Sequence, residues 1–277
     1  MNNQAFRMRV FKTASLCRNF EDAVFYHLNE KNIKFPTYMS AGQEYIPATL
    51  SQIYKDLDPA LFAQHRGHSW YLAFGGDMVK LIDELLGRPT GCAYGMGGSA
   101  SIHCPEINMF GHDGLMGSQV PISVGYCYSS RKPTIAVMGD ASAEEDYALG
   151  AMGWASTKNL PILFVVEDNN LSILTEKRKR RNWEMHDVAK AFQMRGYELT
   201  DDPLEILNHC GRSIDSPRLL NINTNRLYWH AGAGIDDPDT FDRYKHEMLA
   251  LGDEAAEIHE TTKEMVNQVW LKQLETQ

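Results

Sequence analysis

Nothing in the 277-residue sequence approaches the roughly 18 consecutive apolar residues that a membrane-spanning helix requires, and the opening stretch MNNQAFRMRVFK lacks the apolar core of a signal peptide. No membrane contact is expected, and a cytoplasmic location is. Basic residues are in the minority, 27 Lys and Arg against 36 Asp and Glu for a net charge of -9. That balance leaves no concentrated basic face for nucleic acid. The one basic run, Lys177-Arg178-Lys179-Arg180-Arg181, reads as a solvated loop. Five cysteines (17, 92, 104, 127 and 210) form no C-x-x-C pair, which suits reduced thiols and gives no zinc site. Internal repeats, low-complexity segments and a Pro/Gly-rich linker are also missing. One domain over 1–277 is therefore expected, with a helical N-terminal arm and a helical C-terminal tail.

What is present is a hydrophobic content of 43%, enough for a full core, and an alternation of β-rich and helical stretches. Helices are expected over 15–32, 42–56, 120–130, 144–158, about 184–195 and 203–212. Another is opened by Gly76-Asp77 and stopped at Gly87, and the tail from Asp239 onward also reads as helical. Strands are expected to end at Met138 and Val166, with a third over Arg218–Asn223. Alternation of this kind predicts an α/β fold, a parallel central sheet with helices on both faces. Residues 88–119 break the pattern. Seven glycines and little periodicity mark them as a long loop packed against a ligand.

Gly139-Asp140 and Asn169-Asn170 each follow a short apolar run, with an almost purely helical stretch between them. In an open parallel sheet, ligands sit beyond the carboxyl ends of the strands. A carboxylate and an amide delivered there can share one hard cation, and magnesium is typically held by one or two protein oxygens together with substrate phosphates. A magnesium ion holding a diphosphate is the reading. The bland alternative makes Asp140 a helix cap and Asn169-Asn170 a turn, and Asn170 competes with Asn169 for the amide role.

The span from Gly139 to Asn169 resembles the thiamine-diphosphate motif. More specifically, HRGHS (65–69), GRPTGCAYGMGGS (87–99), GLMGSQVPISVG (114–125), VVEDN (165–169) and Gly42-Gln43-Glu44 are similar to the alpha subunit of the first component of 2-oxo acid dehydrogenase complexes, of the pyruvate, branched-chain or acetoin type. The resemblance implies a thiamine-diphosphate-binding fold, with the cofactors thiamine diphosphate and magnesium. It assigns the metal to Asp140, Asn169 and the main-chain carbonyl of Leu171, and the diphosphate to Arg66 and the Gly139-Asp140-Ala141 turn. It also assigns main-chain contacts with the cofactor's aminopyrimidine ring to Gly114 and Met116. His65 stands where the family has tyrosine and His68 matches a family histidine. His230 aligns with the second histidine of Arg-Tyr-His-Gly-His-Ser and Tyr228 with the first. His230 is the leading proton-transfer candidate, since imidazole titrates near working pH. His68 and His103 are further candidates, and His112 is not expected to face the site.

Several departures accompany these matches. Alanine replaces the second glycine of the motif at Ala141, three acids (Glu144-Glu145-Asp146) lie close to a site meant for an anion, and the serine phosphorylated in some relatives is missing. In the family, the glutamate that activates the cofactor belongs to a beta subunit. The expected partner is therefore a beta-type chain in an α2β2 assembly, with a lipoyl-bearing acyltransferase as a further partner. The implied reaction is decarboxylation of a 2-oxo acid with transfer of the acyl fragment. A two-chain transketolase-like or acyloin-forming carbon-carbon transferase and a degenerate non-catalytic subunit stand as alternatives.

Overall fold

A computed structural model describes residues 3–111, 114–232 and 239–276; His112 falls outside them. In chain order the elements are α1 (Asn3–Asn29), α2 (Tyr45–Tyr54), β1 (Ala60–Phe62), α3 (His68–Ala73), α4 (Met78–Leu85), β2 (Met109–Phe110), α5 (Gln119–Ser130), β3 (Thr134–Gly139), α6 (Asp146–Thr157) and β4 (Ile162–Asp168). There follow β5 (Leu171–Ser172), β6 (Thr175–Glu176), α7 (Lys177–Arg180), α8 (Met185–Ala191), β7 (Arg195–Thr200), α9 (Pro203–Cys210), β8 (Arg218–Asn223), α10 (Arg243–Leu251) and α11 (Asp253–Glu275). Six strands form one sheet in the order β2-β1-β3-β4-β8-β7, and every neighbouring pair in it is parallel.

The pleat explains why helices cover both faces. Along β3, Ile135 and Val137 point into a core shared with Leu163 and Val165 of β4 and with residues of α1 to α4, α9 and α11. The intervening Ala136 and Met138 point the other way, into a core with Phe164 and Val166, closed by α5, α6 and α8. Side chains of alternate strand residues emerge on opposite faces, so a strand apolar at every position must be buried on both. The expected three-layer α/β arrangement is what forms.

Of the expected strands, β3, β4 and β8 are present at or near their predicted positions. Five more were not anticipated: β1, β2 and β7 in this sheet, and β5 and β6, which pair with each other. The first helix begins at Asn3, well before residue 15, because Phe6, Val10 and Phe11 bury a stripe against α2, α10 and α11. Asp77 caps α4, accepting the Val79 amide at 2.8 Å.

The strand order also decides where a ligand can sit. From β1 the chain moves outward to β2, then crosses back over β1 to β3, and from β3 it moves in the opposite direction to β4. Connections that leave neighbouring strands in opposite directions open a crevice beyond their carboxyl ends. Here that crevice lies between the segments following β1 and β3.

Candidate active site

A cavity of about 270 Å³ occupies this crevice. Its wall is supplied by Gln64, His65 and Arg66 after β1, by Gly139, Asp140, Ala141, Ser142 and Glu145 after β3, and by Asn169, Leu171, Ser172 and Ile173 after β4, with Met116 and His230 at its sides. Nine of the residues expected from sequence thus line one wall: His65, Arg66, Met116, Gly139, Asp140, Ala141, Asn169, Leu171 and His230.

Asp140 is buried. Its Oδ2 accepts from Arg180, and its main-chain carbonyl accepts from Arg181 Nη1 at 2.8 Å. Burial, followed by the neighbouring charge of Asp168, raises its carboxyl above the usual range in spite of Arg180. Asp168 faces the same burial but is held below the usual range by hydrogen bonds from Lys177 Nζ at 2.7 Å and Asn221 Nδ2 at 3.0 Å. Asn169 donates from Nδ2 to Gln43 Oε1 at 2.9 Å, and its Oδ1 accepts the Leu171 amide at 3.0 Å. That short turn brings amide oxygen and Leu171 backbone together. Of the two adjacent amides, only Asn169 lines the cavity; Asn170 accepts the Lys177 amide through Oδ1 at 3.2 Å.

Arg66 is anchored by donation from Nη1 to the Met39 carbonyl at 2.6 Å, while its Nη2 lies 2.8 Å from His230 Nδ1. A guanidinium can only donate, so Nδ1 of His230 is the acceptor and the neutral ring carries its proton on Nε2. Tyr38, His65 and His230 form a cluster of mutually inclined rings with centroids 5.0 to 5.5 Å apart.

Ala141 replaces a glycine without backbone strain. Its φ of -75° and ψ of -39° lie in the ordinary right-handed region, so the extra methyl requires no unusual conformation. The three acids that follow are handled separately: Glu144 pairs with Arg180 and Arg181, Glu145 faces the cavity, and Asp146 opens α6, where an acidic side chain favours the helix dipole.

Other expected residues stand away from this cavity. His68 is fully buried beneath the site, with Nδ1 3.0 Å from Glu21 Oε1 and Nε2 2.9 Å from Ser99 Oγ. Both ring nitrogens serve an interior network, so His68 does not reach the cavity. His103 is exposed, accepts the Gly111 amide at 3.4 Å, packs against Phe110 and does not line the cavity. Gly114, at φ +95°, is exposed and also stands off the wall. Tyr228 stacks on Phe25 at 4.3 Å and donates its hydroxyl to Asp22, which gives it a packing role. The basic run is not a solvated loop: it forms α7 and its end, and Arg181 is buried. Gln64, Ser142, Ser172 and Ile173 at the cavity, and Arg180 and Arg181 beside it, were not expected at the site from sequence. For the two arginines a signal existed, since a run of bases and a run of acids in one chain can neutralise each other.

Asp140, Asn169 and Leu171 meet on the cavity wall, and a carboxylate, an amide oxygen and a main-chain carbonyl are hard oxygens of the kind magnesium takes. Among the described residues no group of three or more His, Cys, Asp or Glu could hold a metal.

A family model described as dehydrogenase E1 component matches residues 12–277. The chain is 26% identical over 267 residues to the mitochondrial pyruvate dehydrogenase E1 component subunit alpha-1 of Oryza sativa subsp. japonica, covering 91% of this chain and 66% of that protein. It is 25% identical over 254 residues to the pyruvate dehydrogenase E1 component subunit alpha of Rickettsia prowazekii, covering 87% and 76%. With the mitochondrial subunit alpha of Solanum tuberosum the identity is 28% over 261 residues, covering 89% and 65%. The chain thus spans about two thirds to three quarters of the length of these relatives.

Proposed function

The chain belongs to the dehydrogenase E1 component family, and on that premise we propose that it is the alpha-type subunit of a two-chain thiamine-diphosphate-dependent enzyme that decarboxylates a 2-oxo acid and passes on the acyl fragment. The observation that carries this reading is the meeting of Asp140, Asn169, Leu171 and Arg66 on the wall of one crevice at the reversal of strand order. Asp140, Asn169 and the Leu171 carbonyl would hold magnesium. Arg66 would pair with the diphosphate, a fork of N–H donors against phosphate oxygens. When bound, the cofactor supplies a ring that stabilises negative charge on the former carbonyl carbon of the substrate.

A cavity of about 270 Å³ is smaller than the roughly 300 to 1,000 Å³ that enclosing a drug-sized ligand takes. It suits the diphosphate end of a cofactor whose ring end is completed by a second chain. That supports a beta-type partner supplying the activating glutamate, in an α2β2 assembly, with a lipoyl-bearing acyltransferase as the acceptor. The chain's own residues have definite tasks. Arg66 holds anionic oxygens and fixes the His230 tautomer, His230 carries the proton on Nε2 that it would transfer, and Met116 and Ile173 give the cavity an apolar rim.

Calorimetry of thiamine diphosphate with Mg²⁺ binding to the chain co-expressed with its beta-type partner tests the proposal. Binding should be lost in Asp140→Asn, and the assembly should release CO₂ from a 2-oxo acid; no heat and no thermal shift would sink the reading. Assays with a lipoyl-domain acceptor and with an aldehyde acceptor separate the dehydrogenase from the carbon-carbon transferase. His230→Asn keeps an acceptor in the place of Nδ1 for Arg66 and removes Nε2–H. It should lower kcat on the order of a hundredfold or more and leave cofactor affinity nearly unchanged, which stopped-flow and calorimetric measurements can check.

A further inference from the structure

The basic run and the acids after β3 meet at the metal-site carboxylate. Arg180, the last residue of α7, donates from Nη2 to Asp140 Oδ2 and from Nη1 to Glu144 Oε1 at 2.5 Å. Arg181 holds the same turn from its other side, donating from Nη1 to the Asp140 carbonyl at 2.8 Å and to Glu144 Oε1 at 3.1 Å, with its guanidinium 4.9 Å from the Trp183 ring centroid. Lys177, one helical turn earlier, reaches Asp168 at the end of β4. The short helix is thereby tied to the ends of both strands that deliver the metal donors. Asp140 lines the cavity whereas Arg180, only 14% exposed, does not. The guanidinium therefore approaches the carboxylate from behind the cavity wall.

We propose that Arg180 is a positioning residue of the metal site: by holding one oxygen of Asp140 behind the wall, it leaves a single oxygen for the cation and biases the site toward Mg²⁺ over Ca²⁺. Mg²⁺ demands near-ideal octahedral geometry with short bonds, while Ca²⁺ takes six to eight oxygens at longer distance and accepts a carboxylate through both of its oxygens. A carboxylate restrained to one oxygen matches the first demand and denies Ca²⁺ the second contact. The fork matters as well as the charge. Glu144 fixes one arm of the guanidinium and Arg181 fixes Glu144, so the plane of Arg180 is set before any cation arrives, and a lysine cannot span both carboxylates. This inference rests on the reading of Asp140 as a metal ligand.

The test displaces Mn²⁺ from the full chain with Mg²⁺ or Ca²⁺ and reads free Mn²⁺ by its paramagnetic resonance signal. Partners behind a metal ligand typically alter metal affinity by about tenfold to a hundredfold, so Arg180→Met is expected to move the Ca²⁺ to Mg²⁺ preference toward Ca²⁺ by about tenfold. Glu144→Gln and Arg180→Lys, which each break the fork, are expected to move it in the same direction, and either keeps the proposal testable if Arg180→Met does not fold. An unchanged preference in the folded variants would overturn the proposal, as would equal gains for both ions, which mark a purely electrostatic effect. Asp140→Asn separates the two levels. If it retains Mn²⁺ the metal-site reading itself fails. If it loses Mn²⁺ while the fork variants keep the wild-type preference, only the assignment of Arg180 fails.

Discussion

Glu167 lies buried with both carboxylate oxygens bonded to neutral donors, Gln64 Nε2 on one and Trp70 Nε1 on the other at 2.9 Å. Burial dominates over these bonds and over the field of Arg66, pushing the carboxyl up to about 7. Its proton is held more tightly in the fold than in the unfolded chain. Stability is therefore greatest below the ordinary carboxyl range and falls as pH rises toward about 7, by on the order of 3 kcal/mol from this group. Gln64 offers a remedy, since its Oε1 is buried without a hydrogen-bond partner among the described residues. In Glu167→Gln a flip of the Gln64 amide would let that oxygen accept from the new side chain. Thermal melts from pH 5 to 8 should show Glu167→Gln losing much of the wild-type decline, and parallel slopes would refute the account. At this scale the sequence was legible for which residues meet, since Asp140, Asn169 and Arg66 all line the cavity. It was illegible where a partner decides. His68 has the right type and position for a site histidine, but Glu21 and Ser99, far off in sequence, claim both its nitrogens.

Among the connecting elements, the loop between α1 and α2 bears most on the site. Gly42 has φ +92°, and a Cβ there would lie 2.2 Å from the Asn225 carbonyl oxygen in the loop after β8. The two loops are also joined by Thr224 Oγ1 donating to the Gly42 carbonyl at 3.0 Å and the Leu227 amide donating to the Ala41 carbonyl at 3.0 Å. Beside this junction Gln43 accepts from the amide of Asn169, the proposed metal ligand. Gly42→Ala combines an unfavourable φ with a backbone collision and should cost about 2 to 4 kcal/mol, measurable by urea denaturation. It should also weaken cofactor binding through Asn169, and an unaltered midpoint would contradict the packing argument. The strands that escaped notice did so for physical reasons. β1 and β2 span three and two residues, too few for any periodicity to register. β7 is an edge strand paired only with β8 and largely polar on its outward side, so nearly all of it fell unread between the two helices expected over about 184–195 and 203–212. Long fully buried strands such as β4 announce themselves by continuous apolar character.

For the molecule as a whole, the order of motifs along the chain was enough to foresee the ends of β3 and β4 meeting at one crevice, because a parallel sheet sends successive strands to the same edge; that the HRGHS segment follows a third strand end, that of β1, was not foreseen. The closure of α7 over Asp140 could not be foreseen. It depends on a fold that brings two oppositely charged runs, each of which alone reads as solvated surface, into contact. The proposed beta-type partner raises the remaining question of where it sits. Large apolar side chains stand exposed near the cavity mouth and on the outward sides of α5 and α6: Leu115 at 59%, Ile122 at 52%, Tyr128 at 46% and Trp154 at 41%. Tyr128 and Trp154 meet edge to face at 4.9 Å. Aromatic residues are enriched at protein interfaces, and clustered exposure of this kind marks contact surfaces. The segments leading into α5 and α6 line the cavity through Met116 and Glu145, so a partner seated on these helices would lie beside it. Ile122→Asp alters a side chain that is half exposed and should change the folding free energy by about 1 kcal/mol, whereas Trp154→Ala also gives up the contact with Tyr128 and should cost about 1 to 2 kcal/mol. If the face meets the beta-type chain, each should weaken the assembly by 2 kcal/mol or more, roughly thirtyfold. Sedimentation of the copurified pair would then resolve free subunits at concentrations where the wild-type pair stays together, whereas undiminished assembly of both variants would place the partner on another face.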